Sequence, residues 1–251
     1  MGSFKRMQQG FTLMEMVIAL VILAIISLAI GSYLQLGAQG YIGTVNRDRA
    51  QSIARFALEK MTREIRHAAP NSVEVNSPGR CLSFYPVKLS GFYLAEPINT
   101  ALDFSPTVGS VDEWTTIQSN AWMAVGLPSA KQYDEKRNTI RTVEQSSDDG
   151  VLTATLALPL TSSSPANRLY SYSEKVSYCF DSTTNELHRL VDNMLPSKNT
   201  LIAQDVQAVS FASEGVGMNS NGMVHIGLVI QREQTGELSN YEHSVQVINV
   251  L

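Results

Sequence analysis

One carboxylate lies inside an otherwise apolar stretch near the start of this 251-residue chain. Residues 11–30 read FTLMEMVIALVILAIISLAI, and Glu15 is the one charged side chain among them. An ionisable group at the centre of a membrane helix costs about 2.5–3.5 kcal/mol, so such a residue is a functional candidate by default. Its carboxylate attracts a cation strongly where the dielectric constant is low. A structural alternative is that Glu15 reaches the lipid headgroups from the first helical turn, where the helix dipole favours its charge.

The sequence contains no recognisable metal-binding or catalytic motif. The four histidines are scattered along the chain, at His67, His188, His225 and His243. The last two fall on predicted strands that could make them neighbours, but a strand histidine with a satisfied hydrogen bond is the simpler interpretation. There is no nucleotide-binding loop, no Gly-x-Ser-x-Gly and no His-Glu-x-x-His. We therefore expect no enzymatic activity and no cofactor.

Two further groups of residues leave their roles open. Asp148 and Asp149 precede Gly150, but the alternating oxygen ligands and closing glutamate of a calcium loop are missing, which favours a solvated turn and no metal. Three aromatic residues lie in a long segment predicted to be irregular: Trp114, Trp122 and Tyr133. They either form an exposed binding surface, since long loops often carry function, or anchor the segment to a sheet.

The charge balance argues against one class of partner. The chain has 19 basic and 23 acidic residues, a net charge of −4, and loss of residues 1–10 would remove two basic residues and leave −6. A nucleic-acid-binding domain needs a basic face, so nucleic acid is not an expected partner.

The two cysteines, Cys81 and Cys179, are expected to form a disulfide. An even cysteine count in an exported domain indicates a bridge, because oxidising compartments form and keep disulfides. Two separate buried thiols are the alternative. A bridge across so long a loop would stabilise the fold by up to about 5 kcal/mol in the chain-entropy model.

The apolar stretch has the length of a membrane span. Twenty helical residues cover about 30 Å, the thickness of the hydrocarbon core. Lys5 and Arg6 precede it, so the positive-inside rule places residues 1–10 in the cytoplasm and the chain after about residue 32 outside. A secretory signal peptide is the alternative, but its apolar region is shorter and an A-x-A-like site would follow, whereas this stretch continues into Gly31-Ser32-Tyr33-Leu34.

The residues around Glu15 resemble the prepilin signature of type IV pilin-like proteins. The matching run is Gly10-Phe11-Thr12-Leu13-Met14-Glu15, followed directly by the apolar stretch. The resemblance implies that a membrane-embedded prepilin peptidase cuts between Gly10 and Phe11 and methylates the new amino group of Phe11. It also implies that Glu15 pairs with the Phe11 ammonium of a neighbouring subunit during filament assembly. Residues 1–10 would then be a cleaved leader and residues 11–31 the transmembrane and assembly helix.

The helical pattern continues beyond the span. Apolar residues recur with helical spacing at Val45, Ala50, Ile53/Ala54, Ala57/Leu58, Met61, Ile65 and Ala68. Pro70 restricts further continuation, so the helix is expected to end near residues 67–69. We therefore predict an amphipathic periplasmic helix over residues 32–69 and a globular β-rich domain over residues 70–251.

The remaining sequence predicts strands joined by Gly, Pro, Ser and Asn clusters. Residues 82–87 are predicted as an edge strand because of Pro86, and residues 88–138 as loops with short helices. Further strands are predicted at 151–160, at 176–180 and 187–191 as a hairpin, and at 206–211, 224–231 and 243–250. Successive hairpins favour an antiparallel sheet with one face against the helix, so the expected fold class is α+β, pilin-like.

This order of elements resembles the larger minor pilins of the PilW and MshO type in the mannose-sensitive haemagglutinin (MSHA) pilus. The matching features are Thr62-Arg63-Glu64-Ile65-Arg66, the Tyr-Cys-Phe hairpin leading to Leu-His-Arg, and the closing Val-Gln-Val-Ile-Asn-Val strand. The resemblance implies a structural minor pilin in pilus biogenesis. Its partners would be the prepilin peptidase, other major and minor pilins, the inner membrane and the pilus assembly machinery. The alternatives are a minor pseudopilin of a type II secretion system and, less favoured, a membrane-anchored periplasmic enzyme or binding domain.

Overall fold

The structure is a computed structural model. It describes residues 12–76, 78–95, 100–107, 111–117, 121–136, 138–146, 150–192, 199–214, 222–232 and 236–248. The chain divides into two compact units, residues 1–49 and residues 50–251. The first unit holds the apolar part of a long helix, and the second holds the rest of that helix with the β-rich domain.

The long helix α1 runs from Leu13 to Arg66. Within the second unit its apolar stripe is buried, and its members follow the helical repeat: Ala50, Ala54, Ala57, Met61 and Ile65. Basic residues occupy its last turn, where they interact favourably with the negative end of the helix dipole. Its end is tightened by two bonds to the third residue back, from His67 N–H to the Glu64 carbonyl and from Ala68 N–H to the Ile65 carbonyl.

The second unit contains two short helices and the following strands in the part of the chain that is described. The helices are α2 (Val111–Thr115) and α3 (Ala130–Asp134). The strands are β1 (Glu74–Val75), β2 (Cys81–Phe84), β3 (Val87–Tyr93), β4 (Ala101–Pro106), β5 (Trp122–Ala124), β6 (Ile140–Gln145), β7 (Leu152–Leu156), β8 (Arg168–Tyr172), β9 (Val176–Asp181), β10 (Glu186–Val191), β11 (Thr200–Ala203), β12 (Val206–Glu214), β13 (Met223–Gln231) and β14 (Leu238–Gln246).

Two antiparallel sheets share one hydrophobic core with α1. One has the strand order β1-β2-β9-β10-β11 and the other the order β12-β13-β14. Their inward side chains alternate along the strands, as in β13, where Val224, Ile226, Leu228 and Ile230 are all buried. These residues pack in one cluster with the buried stripe of α1. The prediction of an α+β fold with a long N-terminal helix and an antiparallel β domain is therefore confirmed.

The third sheet is antiparallel with the order β5-β8-β3-β4-β7-β6, and its two edges meet. The start of β6 and the residues just before it bond to β5 and the residue just before it. Ile140 N–H donates to the Ala121 carbonyl at 2.7 Å, and Met123 N–H donates to the Asn138 carbonyl at 2.9 Å. The sheet thereby curls around a second core to which all six strands contribute, together with Trp114 of α2.

The prediction for residues 88–138 was wrong in its main feature. This segment contains nearly all of β3, together with β4 and β5, as well as α2 and α3. Proline and polar residues interrupt short runs of alternating apolar residues there, and such short runs are ambiguous when considered alone. The prediction that residues 82–87 form an edge strand was also wrong. Strand β2 ends at Phe84, before Pro86, and lies between β1 and β9.

The later strands agree with the predictions. The predicted hairpin is formed by β9 and β10, in register from Glu186 opposite Asp181 to Val191 opposite Val176. Strands β12, β13 and β14 overlap the three strands predicted near the end of the chain, although β14 begins five residues earlier than expected. Strong alternation of apolar residues is the signal that located them.

Candidate functional site

Glu15 lies in the first turn of α1, which Thr12 caps. The Thr12 hydroxyl accepts a hydrogen bond from the Glu15 backbone N–H at 3.2 Å, and the Thr12 carbonyl accepts one from Met16 N–H at 3.2 Å. With Leu13 as the first helical residue, Thr12 is the N-cap and Glu15 the third residue, the spacing of a Thr-x-x-Glu capping box. The carboxylate is therefore held near the positive end of the helix dipole, which stabilises its charge.

The role of Thr12 did not emerge from the sequence analysis. Its signal was present, because a Ser or Thr three residues before a Glu and ahead of an apolar run marks the start of a helix. The bond to Thr12 sets the helix to begin at Leu13, and Glu15 consequently follows the N-terminal boundary of the helix at a fixed distance.

The apolar part of α1 is exposed throughout its described length. Large side chains from Leu13, 84% exposed, to Leu36, 68% exposed, cover the helix on all sides. Among the described residues, this helix alone is long and apolar enough to cross a membrane, and its most apolar window has a mean hydropathy of 2.8 with no residue buried. A helix that is apolar all round belongs in a protein core or a bilayer, and none of the residues that the structure describes covers this part of α1.

Several predicted site residues lie outside the part of the chain that the structure describes. They are Gly10 and Phe11 at the proposed cleavage site, and Asp148 and Asp149 before Gly150. The cleavage of Gly10–Phe11, the methylation of Phe11 and the assembly role of Glu15 therefore remain predictions.

Cys81 and Cys179 form the disulfide that was predicted. The two residues are direct cross-strand partners on β2 and β9, with Cα atoms 4.2 Å apart. The two cysteines have a sequence separation of 98, and all six strands of the six-stranded sheet, β3–β8, lie between them in the sequence. The disulfide therefore joins β2 and β9, the strands that precede and follow the six-stranded sheet in the sequence.

A cleft of about 1310 Å³ lies between the end of α1, β10 and the six-stranded sheet. Its described lining contains an ion pair, in which Arg189 Nε donates to Glu64 Oε2 at 2.8 Å. Burial raises the pKa of the Glu64 carboxyl, but hydrogen bonds from Arg189 and Lys60 outweigh that effect and the pKa is lowered overall. Glu64 thus remains a carboxylate bound by two cations, which gives it a structural role.

Trp122, in the aromatic wall of the same cleft, has two partners within the domain. Lys136 Nζ lies 3.9 Å from the Trp122 ring centroid, and the Tyr172 ring stacks at 5.8 Å between centroids. These two contacts hold the Trp122 ring against β8 and the segment that follows α3.

Trp114 and Tyr133 are anchors. Both side chains are fully buried, Trp114 in the core of the six-stranded sheet and Tyr133 against Tyr85 and Tyr172. The Tyr133 hydroxyl donates to the Pro70 carbonyl at 2.6 Å, which fixes α3 to the segment that follows α1. Of the two interpretations that the sequence left open, the structure selects the anchoring role for these two residues.

His225 and His243 lie on adjacent strands but do not come together. His225 pairs with Ser244 and His243 with Ile226, so the two side chains point to opposite faces of the sheet. The His225 ring forms a hydrogen bond with the Ser244 hydroxyl at 2.8 Å. No group of three or more His, Cys, Asp or Glu residues that could hold a metal ion occurs within the described ranges.

Comparison with known proteins gives one match, at the N-terminus. Residues 5–31 match the family described as the prokaryotic N-terminal methylation motif. No curated protein and no solved structure matches the chain. The matched residues contain the Gly10–Phe11 bond, the cap and Glu15, and they extend to the end of the predicted span. The chain thus carries the methylation motif of prepilin-like proteins, which supports a membrane-anchored, type IV pilin-like protein of the kind that a prepilin peptidase processes and that associates with other pilins.

Proposed function

We propose that this chain is a minor pilin of a type IV pilus of the MSHA kind and acts as a structural component in pilus assembly. The observation that carries the proposal is Glu15, a carboxylate in the capped first turn of an exposed apolar helix and within the matched methylation motif. A membrane anchor alone has no need of that carboxylate, whereas a helix that must take a register beside others does.

The proposed sequence of events begins with cleavage. The prepilin peptidase removes residues 1–10 by cutting Gly10–Phe11, and the glycine allows close approach to the backbone because it has no side chain. The new Phe11 ammonium is methylated and keeps its positive charge. Glu15 of one subunit then pairs with the Phe11 ammonium of its neighbour. In the low dielectric of the bilayer this attraction is strong, so it fixes the register of adjacent helices.

The proposed topology follows from the same segment. Residues 1–10 face the cytoplasm, residues 11–31 span the inner membrane, and residues 32–69 continue the helix into the periplasm, where residues 70–251 form the globular domain. Lys5 and Arg6 support this orientation through the positive-inside rule. After assembly the subunit resides in the pilus. A subunit at the extreme tip has none ahead of it to pair with, so Glu15 supports a position beneath another subunit.

The test replaces Glu15 and measures processing and incorporation separately. We expect Glu15→Ala to be cleaved and methylated normally, as read from the mass of the mature N-terminus. Its incorporation into sheared filaments should fall about tenfold, because the Phe11 ammonium of the neighbour loses its partner in a low dielectric. Glu59→Ala is the matched control, since Glu59 is an exposed carboxylate on the same helix outside the span.

Two outcomes would contradict different parts of the proposal. An unprocessed precursor at Gly10–Phe11 in the unmodified chain would contradict the whole proposal. Normal incorporation of Glu15→Ala would contradict the pairing role alone.

A minor pseudopilin of a type II secretion system would use the same anchor and the same motif. A deletion strain separates the two roles when surface pili are counted by electron microscopy and exported proteins are measured in the medium. We expect loss of pili with normal secretion. Loss of secretion with normal pili would favour the pseudopilin.

A further inference from the structure

We propose that the outer edge of β14 binds an extended, basic segment of a different pilin-like subunit as an added β-strand. The inference rests on the proposed function for the identity of the partner. It rests on the structure for the site, which is the row of backbone groups on the side of β14 away from β13.

The pairing of β14 with β13 determines which backbone groups face that side. Val247 N–H donates to the Gly222 carbonyl, and Arg232 N–H donates to the Glu237 carbonyl, so odd-numbered residues bond to β13. In an antiparallel pair the intervening residues point their N–H and C=O groups the other way. Those residues are Leu238, Asn240, Glu242, Ser244 and Gln246, and no described backbone group bonds to them across this edge.

The other sheet edges in the described part of the chain are shorter than β14 or receive a backbone bond from another segment, and the six-residue edge strand β6 does so at Ile140. Strands β1 and β11 have two and four residues. The outer side of β5 bonds to residues 138–140. Beside β12, Phe211 N–H donates to the Gly79 carbonyl at 2.9 Å. Strand β14 has nine residues in unbroken register with β13 and no described neighbour on its other side.

The sequence of β14 has one of the features that protect an edge from pairing, the charge of Glu242, and lacks the others. Natural edges carry charged side chains, especially lysine, or proline, a bulge or a short length. LSNYEHSVQ contains no proline, lysine or arginine, and no bulge interrupts its pairing with β13. An open edge of this kind accepts an extended segment, whose main-chain hydrogen bonds provide affinity while alternate side chains provide specificity.

The side chains on the exposed face indicate the chemistry of the added strand. Glu242, exposed at the centre of β14, calls for a basic residue opposite it. Leu238, 53% exposed, and Met223, 37% exposed, lie towards opposite ends of the β13–β14 pair and favour apolar residues there. A second copy of β14, paired antiparallel along its full length, would place its own Glu242 opposite this one, and like charges directly opposite each other are unfavourable.

The C-terminal end of the β14 edge is bounded by the end of α1. Beyond β14, Ile248 N–H donates to the Arg66 carbonyl at the end of α1. An added strand can therefore extend along residues 238–246 and no farther in that direction. This length accommodates a segment of about nine residues, enough for several main-chain hydrogen bonds.

The experiment uses the full-length chain in its native cells with a photo-crosslinking amino acid at Asn240. Thr142, exposed on β6, is the control position. We expect crosslinks from position 240 to a basic extended segment of another pilin-like subunit, identified by mass spectrometry of the linked peptides, and none to that segment from position 142.

A matched pair of substitutions tests the backbone itself. Ser244→Pro removes an outward N–H and leaves the bonds to β13 in place, whereas Ser244→Ala keeps the N–H and loses the same hydroxyl. We expect the crosslink yield to fall about tenfold in Ser244→Pro, because a donor is lost and the ring obstructs the added strand, and to persist in Ser244→Ala. Glu242→Lys, which leaves the backbone unchanged, should also lower the yield severalfold. If Ser244→Pro becomes sensitive to protease and so no longer reports on the edge, the crosslink yield of Glu242→Lys tests the proposed binding instead.

The inference is overturned if position 240 links only to a second copy of this chain, to a protein of another class, or to nothing. It is equally overturned if the yield is the same in Ser244→Pro and Ser244→Ala while Glu242→Lys is also without effect. These outcomes are distinct from failure of the proposed function, which would appear as an uncleaved Gly10–Phe11 bond or a chain absent from filaments. A cleaved and incorporated subunit with no crosslink at position 240 contradicts the edge alone.

Discussion

Arg189 on β10 donates a hydrogen bond from Nε to Oε2 of Glu64 on α1 at 2.8 Å, and both side chains are about four-fifths buried. Lys60, one helical turn before Glu64, contacts its other oxygen at 3.0 Å. The long helix is thereby fixed to the five-stranded sheet by a polar contact in addition to its apolar stripe. A partly buried pair of this kind is costly to break, because the remaining charge loses its partner.

Replacing Arg189 should destabilise the domain measurably. We expect Arg189→Met to lower the free energy of unfolding by about 2 kcal/mol, since methionine keeps much of the aliphatic stem but leaves Glu64 with Lys60 as its one cationic partner. Arg63→Met is the control, because the Arg63–Glu59 pair is about three-quarters exposed and should be worth under about 0.5 kcal/mol. Urea unfolding of the detergent-solubilised chain measures both, and equal effects would contradict the assignment.

The same pair should make stability depend on acidity. The folded-state pKa of Glu64 lies below its ordinary value of 4.5, so its contribution is present above that value and is lost as the pH falls through the folded-state pKa. We therefore expect the stability difference between the unmodified chain and Glu64→Gln to be constant near neutral pH and to shrink below about pH 4.5. Urea midpoints between pH 3 and pH 7 test this, and a difference independent of pH would contradict it.

The disulfide should contribute strongly because it closes a long loop. With Cys81 and Cys179 at a sequence separation of 98, the chain-entropy model gives about 4–5 kcal/mol, and Cys81→Ser with Cys179→Ser should lose most of it. A reductant should lower the stability of the unmodified chain to that of the double variant and leave the double variant unchanged. Equal stability with and without reductant in the unmodified chain would show that the bridge has no stabilising role.

Removing the cap should loosen the first turn of α1. Thr12→Val is nearly isosteric but removes the hydroxyl that accepts from Glu15 N–H, and loss of such a cap costs about 1 kcal/mol. We expect amide hydrogen exchange at Glu15, measured by NMR in detergent micelles, to become roughly fivefold faster, the equivalent of that energy. Thr12→Ser retains the hydroxyl and should exchange at the original rate, whereas an equal acceleration in Thr12→Ser would assign the effect to something other than the cap.

Elements with a strong local signal could be located from the sequence. The apolar stretch with Glu15, the helical repeat up to Ile65 and the alternating strands near the end of the chain each carry a periodicity that neighbouring residues alone produce. The Tyr-Cys-Phe hairpin was located for the same reason, since its turn residues lie between two alternating runs. The methylation motif is likewise contiguous, and it is the part of the candidate site that sequence comparison recognises.

What the sequence by itself determined is therefore mostly local: an apolar helix with one carboxylate, an amphipathic continuation, and a β-rich domain. The disulfide was expected from the number of cysteines and the export of the domain, since only two cysteines are present. Tertiary structure alone decided that residues 88–138 supply three strands of a sheet whose edges meet, and that Glu64 is bound by Arg189 from 125 residues away. It also decided that β14 has β13 as its one neighbour among the strands that the structure describes. The physical reason is that edges, closures and long-range ion pairs depend on which strands come to lie side by side, and that arrangement is set by the packing of the whole domain.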